Sequence, residues 1–249
     1  MIASQFVFHL ALQRDKVESF DRYPFNLSAV RTLDRLELHP KVTFFVGENG
    51  SGKSTLLEAL AVAMGFNAEG GSRNFNFGTR VSHSVLHEYL RVAKGFKRPR
   101  DGWFLRAESF FNVATEIEKL DEAPAFGPPV IDSYGGRSLH EQSHGESFLK
   151  LLNERFGGRS LFILDEPEAA LSPQRQLDAL QRLHALVCQD SQFVIATHSP
   201  LLMAYPDAWV YRFDADGIHR VGCEDTEHFR VMRDFMADPQ RRLRDLLAD

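Results

Sequence analysis

From residue 40 onward the chain alternates short unbroken apolar runs with longer stretches whose apolar positions recur every three or four residues. The first pattern predicts strands buried on both faces and the second predicts amphipathic helices, so the succession reads as an α/β layout with a mostly parallel central sheet flanked by helices. Lys41-Val42-Thr43-Phe44-Phe45-Val46 predicts a buried strand, followed by a glycine-rich turn and a helix through Thr55-Leu56-Leu57-Glu58-Ala59-Leu60-Ala61. Trp103 to Arg106 predicts another strand, and Ser109 to Leu120 a helix. Beyond a proline-rich connection come a helix over 145–156, a strand over 161–164, a helix over 173–188, a strand over 192–196, and a closing strand pair with helices. The amino-terminal MIASQFVFHLALQRDK alternates and then turns charged, which predicts an amino-terminal β portion. Residues 66–101 are polar and glycine-bearing, then helical in pattern, with Arg91, Lys94, Lys97, Arg98 and Arg100 near their end. One domain over 1–249 is expected, with a helical, inserted lobe over approximately 66–156.

Composition narrows the class only a little. The 249 residues can bury a substantial core. A net charge of −5 gives no global drive towards nucleic acid, although a local basic patch can still bind phosphates. The two cysteines, Cys188 and Cys223, lie far apart without C-x-x-C spacing, so neither a disulfide framework nor a thiolate zinc site is indicated. A reducing, cytoplasmic setting is expected. No stretch approaches the ~18 apolar residues of a membrane span, so no membrane insertion is expected.

The chemistry concentrates in three places. Gly47-Glu48-Asn49-Gly50-Ser51-Gly52-Lys53-Ser54 satisfies G-x-x-x-x-G-K-[ST] between a predicted strand and helix, which is the context that pattern requires. Its glycines let backbone N–H groups face a phosphate, and the helix amino end favours the anion. Lys53 would bridge β- and γ-phosphate oxygens of ATP, and the Ser54 hydroxyl would ligate Mg²⁺; Thr55 closes the ATP-binding run. Leu161-Phe162-Ile163-Leu164-Asp165-Glu166 ends an apolar strand in two acids at its carboxyl edge, where Asp165 would hold Mg²⁺ and Glu166 would act as general base on the attacking water. Ser191 to Pro200 repeats the plan with a histidine, and His198 would contact the γ-phosphate.

GENGSGKST, SHGES, LFILDEPEAALSP and ATHSP, in this order over residues 47 to 200, resemble the Walker A, signature, Walker B with D-loop, and switch histidine of ABC-type ATPases, a class of P-loop NTPase. The DEPEAALSP form resembles the soluble branch of RecF-like, SMC-like and overcoming-lysogenization-type ATPases more than transporter subunits, whose D-loops usually carry an aspartate where this chain has Ser172. The resemblance implies a small stand-alone ATPase that works as an ATP-dependent homodimer. In such a sandwich, Ser143, Gly145 and Glu146 of one subunit would cap the γ-phosphate on the other subunit's P-loop. His144 replaces the signature's first glycine, and Glu146 its usual glutamine. The Q-loop glutamine is not evident; Glu108 is the candidate substitute near Mg²⁺, beside the alternative of a helix cap with Ser109. Tyr23, Phe25 and Arg31 are the candidates for holding adenine, against a core role for either ring.

His140-Glu141-Gln142-Ser143-His144 also fits the zinc pattern H-E-x-x-H. That pattern needs both histidines on one helix face, whereas Gly135, Gly136 and Gly145 bracket the stretch and favour a loop entering a helix. The expected function is therefore Mg-dependent ATP binding and hydrolysis that switches an effector protein or a nucleic-acid transaction. Two alternatives stand beside it: the nucleotide-binding subunit of an ABC transporter, and a nucleotide-gated DNA-binding module motivated by the basic group Arg91 to Arg100. The chain between Lys53 and Ser143 is too short for coiled-coil arms.

Overall fold

The computed structural model describes residues 5–72, 84–106, 115 and 144–248. Two sheets organise it. Strands β1 (Val7–Leu12), β2 (Arg35–Glu37) and β5 (Leu90–Lys94) form a small antiparallel sheet in the order β2-β1-β5. The large sheet adds β3 (Val42–Gly47), β4 (Gly71–Ser72), β6 (Asp101–Arg106), β7 (Ser160–Asp165), β8 (Gln192–Ala196), β9 (Ala208–Asp214) and β10 (Gly217–Val221), in the order β10-β9-β3-β8-β7-β6-β4. Its five inner strands run parallel, and β10 and β4 close the edges antiparallel.

The apolar runs form inner strands because alternate residues feed two cores. Phe44, Phe162, Leu164, Phe193 and Ile195 pack on one face, beneath α3 (His144–Lys150) and α4 (Pro173–Val187). Their neighbours Phe45, Leu161, Ile163 and Val194 pack on the other, against α2 (Lys53–Ala63). A side-chain period of two makes every residue of such a strand a core residue, so the sequence reads as a continuous apolar run. Shorter α1 (Ser28–Arg31) and α5 (Pro200–Met203) fill loops, and α6 (Glu227–Ala237) and α7 (Pro239–Leu247) close the chain without a fully buried residue. No helix among the described residues is long and apolar enough to cross a membrane.

The small sheet is held to the large one by a buried glutamine. Gln192 accepts from the N–H groups of Phe6 and Val7 at 3.0 and 2.9 Å, and donates to the carbonyls of Val7 and His39 at 2.8 and 3.0 Å. A wholly buried amide this well satisfied fixes the angle between the sheets, because losing any partner would strand a polar group in the core.

The strands expected near 41–46, 103–106, 161–164 and 192–196 are all present, as are the amino-terminal strand and the closing strand pair. The helix over 145–156 is α3 followed by a π-helical turn, Leu151–Arg155. The basic stretch differs from expectation. Arg91 and Lys94 lie on strand β5, paired antiparallel with β1, and Lys97, Arg98 and Arg100 lie in the loop that follows, rather than on a helix. Pairing with the amino-terminal strand β1 overrides the local pattern. Much of the proposed lobe, including the helix expected over 109–120 apart from Thr115, lies outside the described residues.

Candidate active site

The site forms along the carboxyl ends of the parallel strands, where β3, β6, β7 and β8 deliver their terminal residues side by side. At the end of β3, Gly47 has a φ of 147°, and a Cβ there would overlap the Phe213 carbonyl of β9; only glycine lets the loop leave the sheet at this point. The loop then enters α2 at Lys53. That lysine is 4% exposed, and its Nζ donates to the carbonyls of Gly47 at 2.7 Å and Glu48 at 2.9 Å. Burial pushes its ammonium below the usual lysine range, opposed by the Glu166 and Asp165 carboxylates.

Ser54 Oγ donates to Asp165 Oδ1 at 3.0 Å. Burial raises the Asp165 carboxyl to about 6, against the Ser54 hydrogen bond and the Arg106 charge. Arg106 is paired with Asp165 in the β6–β7 register; its Nε lies 3.8 Å from Asp165 Oδ2, while Nη1 donates to Glu58 Oε2 of α2 at 2.7 Å. A hydroxyl and a carboxylate set side by side are the hard oxygen donors Mg²⁺ takes when phosphates complete its shell, so the pair fits that ion. Among the described residues no cluster of three or more His, Cys, Asp or Glu could hold a metal by itself. Ser51 Oγ is buried in the phosphate loop without a hydrogen-bond partner, as expected of a group that waits for a ligand oxygen.

Glu166 follows Asp165 in the left-handed region, φ 50° and ψ 52°, a conformation a glutamate adopts at a cost of about 1–2 kcal/mol. Its N–H bonds to the Ala196 carbonyl at 2.9 Å, so the turn is tied to the end of β8. His198 Nε2 lies 3.4 Å from Glu166 Oε1. The contact is electrostatic, because Nε2 makes no aligned hydrogen bond there. Glu168 Oε1 accepts from the His198 backbone N–H at 2.6 Å, and burial raises the Glu168 carboxyl above the usual range.

The described part of the signature-like stretch packs beneath residues 167–170. A Cβ at Gly145 would overlap the Ala170 carbonyl, and Glu146 Oε1 pairs with Arg175 Nη2 at 3.2 Å. Ser172 caps α4 by accepting from the Arg175 N–H at 3.4 Å. Ser143, Glu108 and the rest of the H-E-x-x-H stretch before His144 lie outside the described residues. A cavity of about 440 Å³ opens over the phosphate loop from Gly47 to Ser51, bounded by Asn26–Ser28, Arg212–Ala215 and Thr226–His228. Of the adenine candidates, Tyr23 is 63% exposed with its hydroxyl 3.4 Å from Thr55 Oγ1. Phe25 is buried against Phe20 and Tyr89, and Arg31 pairs with Asp21.

Sequence reasoning missed Arg106, Glu58, Glu168 and His228. The acid-arginine pairs come from strand register and helix docking, and neither leaves a signal in one sequence.

The fold is that of the ATP-binding cassettes, the ABC type of P-loop fold. An AAA domain family, AAA_23, matches residues 24–117. A 35-residue segment, 14% of this chain, is 63% identical to the DNA replication and repair protein RecF of Colwellia psychrerythraea, covering 8% of that protein. The ABC transporter G family member STR2 of Medicago truncatula is 27% identical over 172 residues, 64% of this chain and 24% of the relative. The chain thus spans under a quarter of the length of these two relatives. Among solved structures, MJ1267, an ATP-binding cassette of an ABC transporter, superposes with a TM-score of 0.50 at 16% identity, over 95% of this chain and 97% of that one.

Proposed function

We propose that the protein binds and hydrolyses Mg-ATP as a head-to-tail, ATP-sandwiched homodimer whose closing and opening acts as a conformational switch. The observation that carries this reading is the junction of Lys53, Ser54, Asp165, Glu166 and His198 at one sheet edge, with Ser54 and Asp165 3.0 Å apart. Ser54 and Asp165 would hold Mg²⁺, which when bound supplies positive charge to the phosphates. Lys53, already aimed into the loop, adds a second positive charge, and the N–H groups from Gly47 to Thr55 receive the phosphate oxygens. Glu166 accepts the proton of the attacking water, and His198 orients beside it. Ser143, Gly145 and Glu146 complete the partner subunit's site. Glu108, near the end of β6, is proposed to assist at the ion.

The test is a pair of variants and their mixture. Glu166→Gln should retain Mg-ATP and accumulate as a closed dimer, with turnover lower by about 10²–10⁴. Ser143→Arg and Lys53→Ala should each be inactive, yet their mixture should recover up to about a quarter of wild-type sites if sites act independently. Full activity of Ser143→Arg alone would remove the composite site. The fold likeness to MJ1267 also favours a transporter subunit, and co-purification of a membrane-embedded partner with trapped Glu166→Gln would select that reading.

A further inference from the structure

At the opposite edge of the large sheet, a second concave site is built from residues that the ATP reading does not use. A cavity of about 350 Å³ is lined by Lys97, Arg98, Arg100, Arg159, Asp190 and Phe6. Lys97, Arg98 and Arg100 immediately precede β6, Arg159 immediately precedes β7, and Asp190 lies just before β8. The site therefore sits at the amino ends of three adjacent parallel strands, roughly 20 Å from the phosphate loop at six residues of strand length. There, among the described residues, four cations face one carboxylate, in a chain whose net charge is −5. Among the described residues, no ion pair or hydrogen bond engages the side chains of these four.

The walls are fixed by backbone. The Arg100 N–H donates to the Arg159 carbonyl at 2.8 Å, and the Arg159 N–H to the Gln189 carbonyl at 2.7 Å, so the three loops are laced to one another. Arg159 and Asp190 both adopt left-handed backbone, φ 56° and 61°, which are costly conformations at non-glycine residues. The Gly95 N–H bonds to the Phe6 carbonyl at 2.7 Å and anchors the start of the basic loop. Between that anchor and the cations stands Phe96, 94% exposed. A phenylalanine almost wholly in water gives the fold nothing, and its neighbours in sequence are the same cations that line the cavity.

We propose that this pocket and Phe96 form a binding site for single-stranded nucleic acid, with the four cations on successive phosphates and the ring beneath a base. A flat anionic membrane would reward several apolar side chains at the tip, whereas here a concave cationic pocket accompanies one ring. The site goes beyond the ATPase reading and does not rest on it, since binding is measurable without nucleotide.

The experiment is fluorescence anisotropy of the whole chain with labelled 20-nucleotide single-stranded DNA and RNA, titrated from about 50 to 200 mM salt. Four phosphate contacts predict a slope of log K against log salt near −3, from about 0.7 per contact. Arg98→Glu with Arg100→Glu should roughly halve that slope, and Phe96→Ala should weaken binding about 5- to 150-fold. ATP affinity and the unfolding midpoint should stay unchanged in both variants, because these side chains are exposed and remote from the nucleotide site. Absence of saturable binding at low salt overturns the proposal. So does binding indifferent to Phe96→Ala, or duplex bound as tightly as single strands, which would be charge attraction alone. Preference for phosphatidylserine vesicles over oligonucleotide, lost in Phe96→Ala, would assign the site to membranes instead.

Discussion

His198 Nδ1 lies 2.9 Å from His228 Nε2, so a helix from the end of the chain reaches back to the residue beside Glu166. One of the two nitrogens donates to the other, the direction following the tautomer, while the His198 ring's other nitrogen faces the Glu166 carboxylate at 3.4 Å. His228 thereby holds the direction of the His198 ring. Burial first, then the Lys53 charge, holds the His198 imidazole below its usual range, and His228 lowers it further.

The expected consequence is a positioning effect. His228→Ala should slow turnover by about 5- to 10-fold, the equivalent of one ordinary hydrogen bond, with little change in ATP affinity. It should also move the acid limb of the pH–rate profile upward, towards the ordinary histidine range. His228→Gln keeps an N–H donor and should recover part of the rate. An unchanged pH profile in His228→Ala would leave the residue a packing role only.

Asp165 gives a pH prediction of opposite character. Its carboxyl is raised from 3.8 to about 6 in the folded chain, so the fold binds that proton more tightly than the unfolded chain does. Its stabilising effect is therefore complete below about pH 4 and is lost as pH rises through about 6, where ionisation costs the nucleotide-free fold about 3 kcal/mol. Asp165→Asn, neutral throughout, should raise the unfolding midpoint of the nucleotide-free protein at neutral pH. The gain should shrink as pH is lowered towards 4, and Mg²⁺-dependent nucleotide binding should be lost at every pH. Lower stability of the variant at neutral pH would contradict the burial argument. In the wild type, protons compete with the ion, so half-saturating Mg²⁺ should rise below about pH 6.

How much of this was readable beforehand follows from where each pattern originates. Phe193 to Ala196 is legible as a strand because both faces are buried and nothing polar interrupts the run; the same holds for Leu161 to Leu164. The phosphate loop was legible because its glycines, lysine and serine serve a local turn. Arg91 to Lys94 was not, because a short mixed run takes its state from its partner, here β1. Arg106 beside Asp165 and His228 beside His198 are products of register and tertiary docking. Tyr23 and Phe25 looked alike in sequence, and only burial separates them.

Gly145 tests the coupling between α3 and the turn over Pro167–Ala170. With α3 lying so close to the Ala170 carbonyl, Gly145→Ala must push the helix away from residues 167–170 or bend it. Such overpacking costs about 1–3 kcal/mol, read as a lower unfolding midpoint. Glu168 follows Pro167 in the displaced segment and accepts from the His198 N–H, so ATP turnover should fall by more than ATP affinity. Equal loss of both would indicate general unfolding.

Tyr23 and Phe25 make the last comparison, because two aromatic side chains two residues apart should fail in opposite ways. Tyr23 is exposed, with its hydroxyl against Thr55 at the start of α2, which places a free ring face beside the phosphate loop. Phe25 is 8% exposed and meets Tyr89 edge-on at 4.8 Å. Base–aromatic stacking is worth about 1–3 kcal/mol, so Tyr23→Ala should weaken ATP about 5- to 150-fold while leaving the unfolding midpoint of the nucleotide-free chain unchanged. Tyr23→Phe keeps the ring and should bind nearly as wild type. Phe25→Ala empties a core position and should cost about 3–5 kcal/mol of stability. Its affinity for ATP, measured on the fraction that remains folded, should change little. If Tyr23→Ala binds ATP normally, the base is held elsewhere, and the cavity wall at Asn26–Ser28 and Arg212–Ala215 becomes the place to substitute next.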